Sequence, residues 1–383
     1  MIILATAIIL ALNGSGIIGK AHEAKTASDN ASKKQAATLK IAEYELAVQN
    51  GETASINTWV KNSLTADGID TSDMYITEDR EVLVGLTKIA VSLLEAGVPI
   101  GATVEGYDIS ANPTTYTTDG RENTTHKYGE EEVKVAQTVT RVTSPTWKYM
   151  GVSDDGEALI VMDVIANAPL MKLGGIGGYL NGENALNNTC KALYGTDKGV
   201  ARSINFEDVL KVLEYSGPQG QYSDESGTVI KTNKALTIGE IIGDSTTRLK
   251  SYNGTPDGTD IKEYKADYLS IFTGYTPGMQ HPSDSYIKAD ETAQDLIFNT
   301  LGVDGSSDFY WIADRCTSVS FASGNNYALF SMRAVDTSWP HITALRLYYS
   351  IPGPASQAGV LRPVVELNES VTFTYADGTL TLN

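Results

Sequence analysis

A chain of 383 residues has room for two or three domains and an ample core. Apolar residues make up 42 % and charged residues 20 %, an ordinary globular balance. The formal net charge of −18 repels a nucleic-acid backbone, which disfavours DNA or RNA as a partner.

The chain opens on "MIILATAIILAL", apolar throughout except for Thr6. A spanning helix wants about 20 apolar residues, and a signal peptide wants a basic start and a small-residue cleavage site. The run therefore reads as the second half of something longer, with Met1 internal to the natural protein. "LNGSGIIGKA" follows, and between Gly19 and Gly51 there is neither Pro nor Gly. Ile17, Ala21, Ala24, Ala27, Ala31, Leu39, Ala42 and Leu46 recur mostly every three or four residues. They predict one helix of roughly 30 residues, with that stripe packed on a sheet or on neighbouring helices. Asn50-Gly51 supplies its stop.

Residues 53–67 read as a short helix carrying Trp59. "MYIT" and "EVLVGL" read as strands joined at Glu78-Asp79. Residues 88–96 read as a helix ended by Gly97-Val98-Pro99, and residues 110–130 as a polar loop. A new unit starts near Pro145. "TWKYMGVSDDGEALIVMD" has a hairpin pattern around Asp154-Asp155-Gly156. "NGENALNNTCKALYG" reads as a helix. So does "SINFEDVLKVLEY", with Ile204, Val209, Val212 and Leu213 on its apolar side. The Gly-, Ser- and Tyr-rich stretch from about 216 to 300 reads as an insertion. A dense region runs from "DFYWIADRC" to "GVLRPVVEL", and "SVTFTYADGTLTL" closes the chain as a hairpin around Asp377-Gly378. No repeat of 20–50 residues is visible.

Two nucleotide motifs are tempting and fail. Gly14-x-Gly16-x-x-Gly19 needs a strand before it and a second strand bearing an acid about 20 residues on. Here Glu43 falls inside the predicted helix. Gly14-x-x-x-x-Gly19-Lys20 needs a hydroxyl for Mg²⁺ at the next position, which is Ala21. "LGGIGGYLNG", 173–182, lacks the Gly-Lys-Ser/Thr ending and reads as a flexible loop or tight turn. Asp154/Asp155 and Glu130/Glu131/Glu132 read as solvated surface acids. His22, His126, His281 and His341 are far apart, so no sequence-local metal site is expected. Cys190 and Cys316 are either two buried thiols or, in an oxidising compartment, one bridge. No cofactor is implied.

Two resemblances emerge from these segments. "MIILATAIILAL", "NGSGIIGKA" and "HEAKTASDNASKKQAATLKIAEYELAV" together resemble the N-terminal helix of type IV pilin-like proteins of the clostridial type. "WKYMGVSDDGEALIVMD", "GYLNGENALNNTCKALYG", "ARSINFEDV", "FYWIADRC" and "LRPVVEL", over 146–367, resemble a C-type-lectin fold. The subtype is similar to formylglycine-generating-enzyme-like domains and to the variable proteins of diversity-generating retroelements. The resemblance implies an α+β chain in four parts. These are a pilin-type helix (1–50), a small α/β pilin region (51–145), a C-type-lectin-like domain (146–367) and a terminal β-hairpin (368–383). The calcium-dependent sugar motifs of that fold are missing, so calcium-mediated sugar binding is not implied. The paired reactive cysteines of the enzymes are missing too, since only Cys316 lies in that region. A Cys190–Cys316 disulfide is the pairing the resemblance favours.

Between those anchors, residues 317–362 interleave apolar and contact-prone side chains. Leu329, Met332, Val335, Leu345 and Leu347 suit a core. Asn325, Asn326, Tyr327, Trp339, His341, Arg346, Tyr348 and Tyr349 suit an adaptable binding face. The expectation is a surface-displayed, non-enzymatic pilin-like adhesin that binds a protein or glycan on a host, phage or bacterial surface. It would meet other pilin subunits, and a membrane before assembly, through its first helix. A structural pilin with the lectin-like domain as spacer is the first rival, and a sulfatase-modifying-type enzyme the second.

Overall fold

The computed structural model describes residues 17–122, 134–163, 169–216, 220–223, 229–232, 237, 240, 263, 287–298, 309–322, 325–336, 341–349 and 356–383. The chain is mixed α+β and divides into two compact units. The boundary follows Gly97 rather than residue 145, and the turn Asp154–Glu157 groups with the first unit.

The first unit is built on α1 (Ile17–Gln49), α2 (Ile56–Ala66), the antiparallel pair β1 (Met74–Ile76) and β2 (Val82–Val84), and α3 (Lys88–Glu95). Ser55 and Thr87 start α2 and α3 by accepting from the N–H of Thr58 and of Ala90, which satisfies donors a helix end leaves open. Ala37 and Ile41 of α1 pack with Ile56, Val60 and Leu64 of α2 and Met74 and Ile76 of β1. Tyr44 meets Trp59 at 5.6 Å between ring centres, and donates its hydroxyl to Ala54 O.

The buried face of α1 is not the one the periodicity predicts. Ala24, Ala27, Ala31, Leu39, Ala42 and Leu46 all face solvent, Leu39 at 64 % and Leu46 at 60 % exposure. The core face is narrower, centred on Ala37 and Ile41 and edged by Lys33, Ala36, Lys40 and Tyr44. Lys33 reaches Asp73 at 2.6 Å and Lys40 reaches Asp67 at 3.0 Å, so long polar side chains frame the contact while their charges stay wet.

In the second unit the strands form two main sheets. The seven-stranded sheet has the order β17 (Phe373–Ala376), β18 (Thr379–Leu382), β3 (Thr103–Glu105), β6 (Trp147–Val152), β7 (Ala158–Met162), β16 (Pro363–Leu367) and β9 (Gly199–Ser203). The five-stranded sheet has the order β14 (His341–Tyr349), β13 (Asn325–Asp336), β12 (Phe309–Ala322), β15 (Ser356–Val360) and β8 (Leu170–Gly174). Within the expected loop at 110–130, β4 (Thr115–Glu122) is strand and pairs with β5 (Lys134–Thr140) as a hairpin. Threonines facing one another across the pair, such as Thr117 and Thr138, suit a solvated two-stranded ribbon. A second hairpin joins β10 (Gly220–Ser223) and β11 (Val229–Thr232).

Three expectations change here. The C-terminal hairpin is not a separate part, because β18 runs parallel to β3 within the seven-stranded sheet. The expected insertion ends earlier than residue 300. α6 (Glu291–Phe298) belongs to the core, with Ala293, Leu296, Ile297 and Phe298 buried. Finally, "GIGGYLNG" is helix. α4 runs from Gly175 to Tyr194, through the glycines expected to be loop. Its packing explains them. A Cβ on Gly178 would stand 3.3 Å from the Leu173 backbone, and one on Gly182 3.0 Å from Met332 Sδ. Glycine costs helix propensity there, and the close approach to β8 and β13 compensates.

Candidate functional site

Strands β12, β13 and β14 form an antiparallel meander. β12 pairs with β13 from Phe309↔Asp336 to Ala322↔Asn325, and β13 with β14 from Leu329↔Tyr349 to Asp336↔His341. Its apolar positions lie where the sequence puts them. Met332, Val335, Leu345 and Leu347 are buried and Leu329 is half-buried. α4 packs across the meander, with Tyr179 edge-on to Phe330 at 5.3 Å. On β12, Trp311 is fully buried and donates Nε1–H to Met171 O at 2.8 Å. Gly359 of β15 makes room for that indole, since a Cβ there would stand 2.9 Å from Nε1.

The eight predicted contact residues divide between the two ends of this meander. Asn325, Asn326 and Tyr327 open β13 opposite Ala322, Phe321 and Ser320. Tyr348 and Tyr349, paired with Phe330 and Leu329, lie toward the same end. His341 pairs with Asp336 at the other end, seven residues or about 23 Å along the strand from Tyr348. Arg346 lies between, opposite Ser331, with its side chain exposed. Trp339 lies outside the described residues, as do the side chains of the other seven except Arg346. The set thus maps to the length of one sheet rather than to one pocket.

The structure adds charged residues to this region. The β12–β13 register breaks between Trp311 and Arg315. Within that bulge Ala313 donates its N–H to Ile204 O at 2.9 Å, and Asp314 Oδ2 accepts from the N–H of Phe206. Phe206 opens α5 (Phe206–Val212), whose start is fixed by a capping box between Asn205 and Asp208. The guanidinium of Arg333 on β13 stacks on the Phe206 ring at 3.7 Å and is 3 % exposed. Burial pushes the Asp314 carboxyl up to about 6. The Phe206 N–H and Arg333 oppose that rise, and Glu183 and Glu207 add to it. On the α4 side, Glu183 Oε1 accepts from Arg315 N at 2.9 Å, and Arg315 lies over the Tyr179 ring at 5.4 Å. Tyr179 and Thr317 share a hydroxyl hydrogen bond at 3.2 Å.

Sequence reasoning passed over Asp314, Arg315 and Arg333. The first two sit inside "YWIADRC", a segment read above only for its resemblance to a fold. Arg333 lies among the apolar residues of β13, and no local spacing tells a buried arginine from an exposed one.

The expected Cys190–Cys316 bridge is not made. The two stand as separate thiols, both fully buried. Helix geometry gives the reason. Arg315, next to Cys316, is held opposite Glu183, and Cys190 lies seven residues further along α4, about 10 Å of helix rise. A disulfide needs Cα atoms about 4.4–6.8 Å apart. Burial holds the Cys190 thiol well above its ordinary range, partly offset by Arg202, so it stays protonated and acts as a packing group.

Among the described residues no group of three or more His, Cys, Asp or Glu is placed to hold a metal ion, and no helix is long and apolar enough to cross a membrane. Comparison of the chain with protein-family models, with curated proteins and with solved structures finds no match.

Proposed function

We propose that this protein is a surface-displayed, pilin-like adhesin whose second unit binds a protein or glycan ligand through the β12–β13–β14 sheet. The observation that carries the reading is the division of labour in that meander. Phe330, Met332, Val335, Leu345 and Leu347 fix the backbone from inside. The edge strand β14 ends in Arg346-Leu347-Tyr348-Tyr349, with Arg346 exposed. A fixed backbone bearing Tyr, Asn and Arg is the chemistry of an adaptable binding face, because aromatic area comes at low entropy cost. Diversification of residues 317–362 would change contacts there without refolding the sheet.

The assembly half of the reading rests on α1, whose exposed face carries Ala24, Ala27, Ala31, Leu39, Ala42 and Leu46. Such a row lets another helix approach closely. The rival reading as a sulfatase-modifying-type enzyme needs a reachable thiolate, and both cysteines are buried.

The test is a variant with Tyr348, Tyr349 and Trp339 all changed to Ala, assayed for adhesion to host cells, bacterial cells and phage. The expected result is loss of adhesion with an unchanged far-UV circular dichroism spectrum. Adhesion surviving on every surface would leave the lectin-like unit as a spacer in a structural pilin.

A further inference from the structure

β8 ends the five-stranded sheet, with β15 on one side of it. Residues 169 and 171 bond toward that side. Pro169 O accepts from Leu361 N at 3.0 Å, and Met171 O accepts from Trp311 Nε1 at 2.8 Å. Leu170 and Lys172 therefore turn their backbone groups outward, because successive residues of an antiparallel strand bond to alternate sides. An open row of such groups is a template for another strand.

Here one side chain takes two of them. Gln137 of β5 donates Nε2–H to Leu170 O at 3.1 Å and accepts at Oε1 from Lys172 N at 3.0 Å. A carboxamide carries the same donor and acceptor as a peptide group, so Gln137 stands where the peptide of an added strand would stand. β5 pairs with β4 in a separate two-stranded sheet, and the Gln137 side chain links that hairpin to the β8 backbone. Thr118 and Val139 are buried and β4 lies along α4, which seats the rest of the hairpin.

We propose that Gln137 is a plug on the β8 edge: it holds the β4–β5 hairpin over the strand and keeps β8 from pairing with β8 of a second copy of this chain.

The second copy is the occupant that the two outward groups select. A two-fold axis through Met171 sets two β8 strands antiparallel, with Leu170 of each facing Lys172 of the other. Leu170 O then accepts from the second copy's Lys172 N, and Lys172 N donates to the second copy's Leu170 O. That is the hydrogen-bonded pair of an antiparallel ladder. The two groups that Gln137 satisfies within one chain are thus each other's partners between two chains. Each lysine also lies opposite a leucine, so like charges are not set face to face. Pairing between copies requires the hairpin to leave the edge, so the plug acts on association and not on the fold of one copy.

Hydrogen exchange on the full chain tests the plug. It is read at the Lys172 amide by mass spectrometry with fragment-ion resolution, over a series of protein concentrations. Sedimentation velocity on the same samples reports dimer. At low concentration Lys172 should exchange about tenfold faster in Gln137→Ala than in wild type, from the loss of two neutral hydrogen bonds. As concentration rises, protection at Lys172 and dimer should appear together in the variant and not in wild type. Gln137→Glu should fall between the two, since it still accepts from Lys172 N but cannot donate to Leu170 O. Exchange at the wild-type rate in Gln137→Ala overturns the proposal, and so does fast exchange that no concentration slows. Dimer that leaves Lys172 fast forms through another surface and overturns it too, as does a wild type that gains protection with concentration just as the variant does. Should Gln137→Ala lose its circular dichroism spectrum, Gln137→Glu decides by the same two readouts.

Discussion

Arg362 ties three elements of the second unit together through one buried side chain. It is fully buried. Nε donates to Met162 O at 3.2 Å, Nη1 to Tyr310 Oη at 3.0 Å and Nη2 to Leu296 O at 2.6 Å, while the guanidinium lies over the Tyr310 ring at 4.8 Å. These partners sit on β7, β12 and α6, and no carboxylate among the described residues pairs with it. Hydrogen bonds from a charged donor contribute about 1.5–3 kcal/mol each. Arg362→Lys keeps the charge, but an ammonium cannot span three acceptors set for a planar fork. If it keeps one, the loss is about 3–6 kcal/mol, since the charge stays buried with fewer partners. Arg362→Met removes the charge along with its desolvation cost. It leaves two carbonyls and a phenol without their donor, at about 1–3 kcal/mol each before that relief. The expected order of stability is wild type, then Met, then Lys. Urea unfolding followed by tryptophan fluorescence measures it, provided the slope with urea is unchanged. A Lys variant within about 0.5 kcal/mol of wild type, a difference too small for a lost buried donor, would refute the argument. So would a Lys variant more stable than Met, because fork geometry would then not be what holds the three elements together.

Tyr149 is the opposite case: its hydroxyl is buried with no hydrogen-bond partner among the described residues, and burial alone pushes its phenol upward. Tyr149→Phe should therefore be neutral or stabilising by about 1 kcal/mol, read as a thermal midpoint raised by about 2–4 °C. A loss of stability would mean that the hydroxyl is satisfied by bound water. On α1, Leu39→Lys with Leu46→Lys should leave the melting of the first unit within about 0.5 kcal/mol, because both are exposed. The same pair should abolish self-association in sedimentation velocity. Association that persists would show that this row is not the assembly face.

Strong period and turn chemistry made much of the fold legible. The hairpin around Asp377-Gly378, the β6–β7 pair and the helices of the first unit all announce themselves by alternation, caps and stops. What sequence could not supply was the partner surface. α1 displays two candidate faces. The one with the cleaner apolar period faces solvent, while Ala37 and Ile41 suffice inside because Lys33, Lys40 and Tyr44 frame them. The glycines of 175–182 read as loop because propensity scores a residue alone, whereas Gly178 and Gly182 are chosen by the proximity of Leu173 and Met332. The cysteines failed for a related reason. Two thiols in one core look pairable until the rise of the helix between Glu183 and Cys190 is known.

The same distinction bears on the candidate site. Contact-prone residue types were visible in 325–349, but their distribution over both ends of the meander follows from register. A face of that length suits a broad surface better than a small molecule, which needs convergent groups in a concave pocket. It also explains why the polar interior lies where it does. If the sheet serves as the exchangeable binding face proposed above, it must take its shape from contacts the exchange does not touch. Trp311 on Met171, Arg333 on Phe206 and Arg362 on Tyr310 are such contacts, each tying a strand to an element outside the meander or to its neighbour through a directional bond or a stacked ring. Apolar packing alone would hold the sheet, but it tolerates slippage. Directional contacts of this kind fix one register, and on the proposed function substitutions along β14 would change the contact face and leave the backbone where it was.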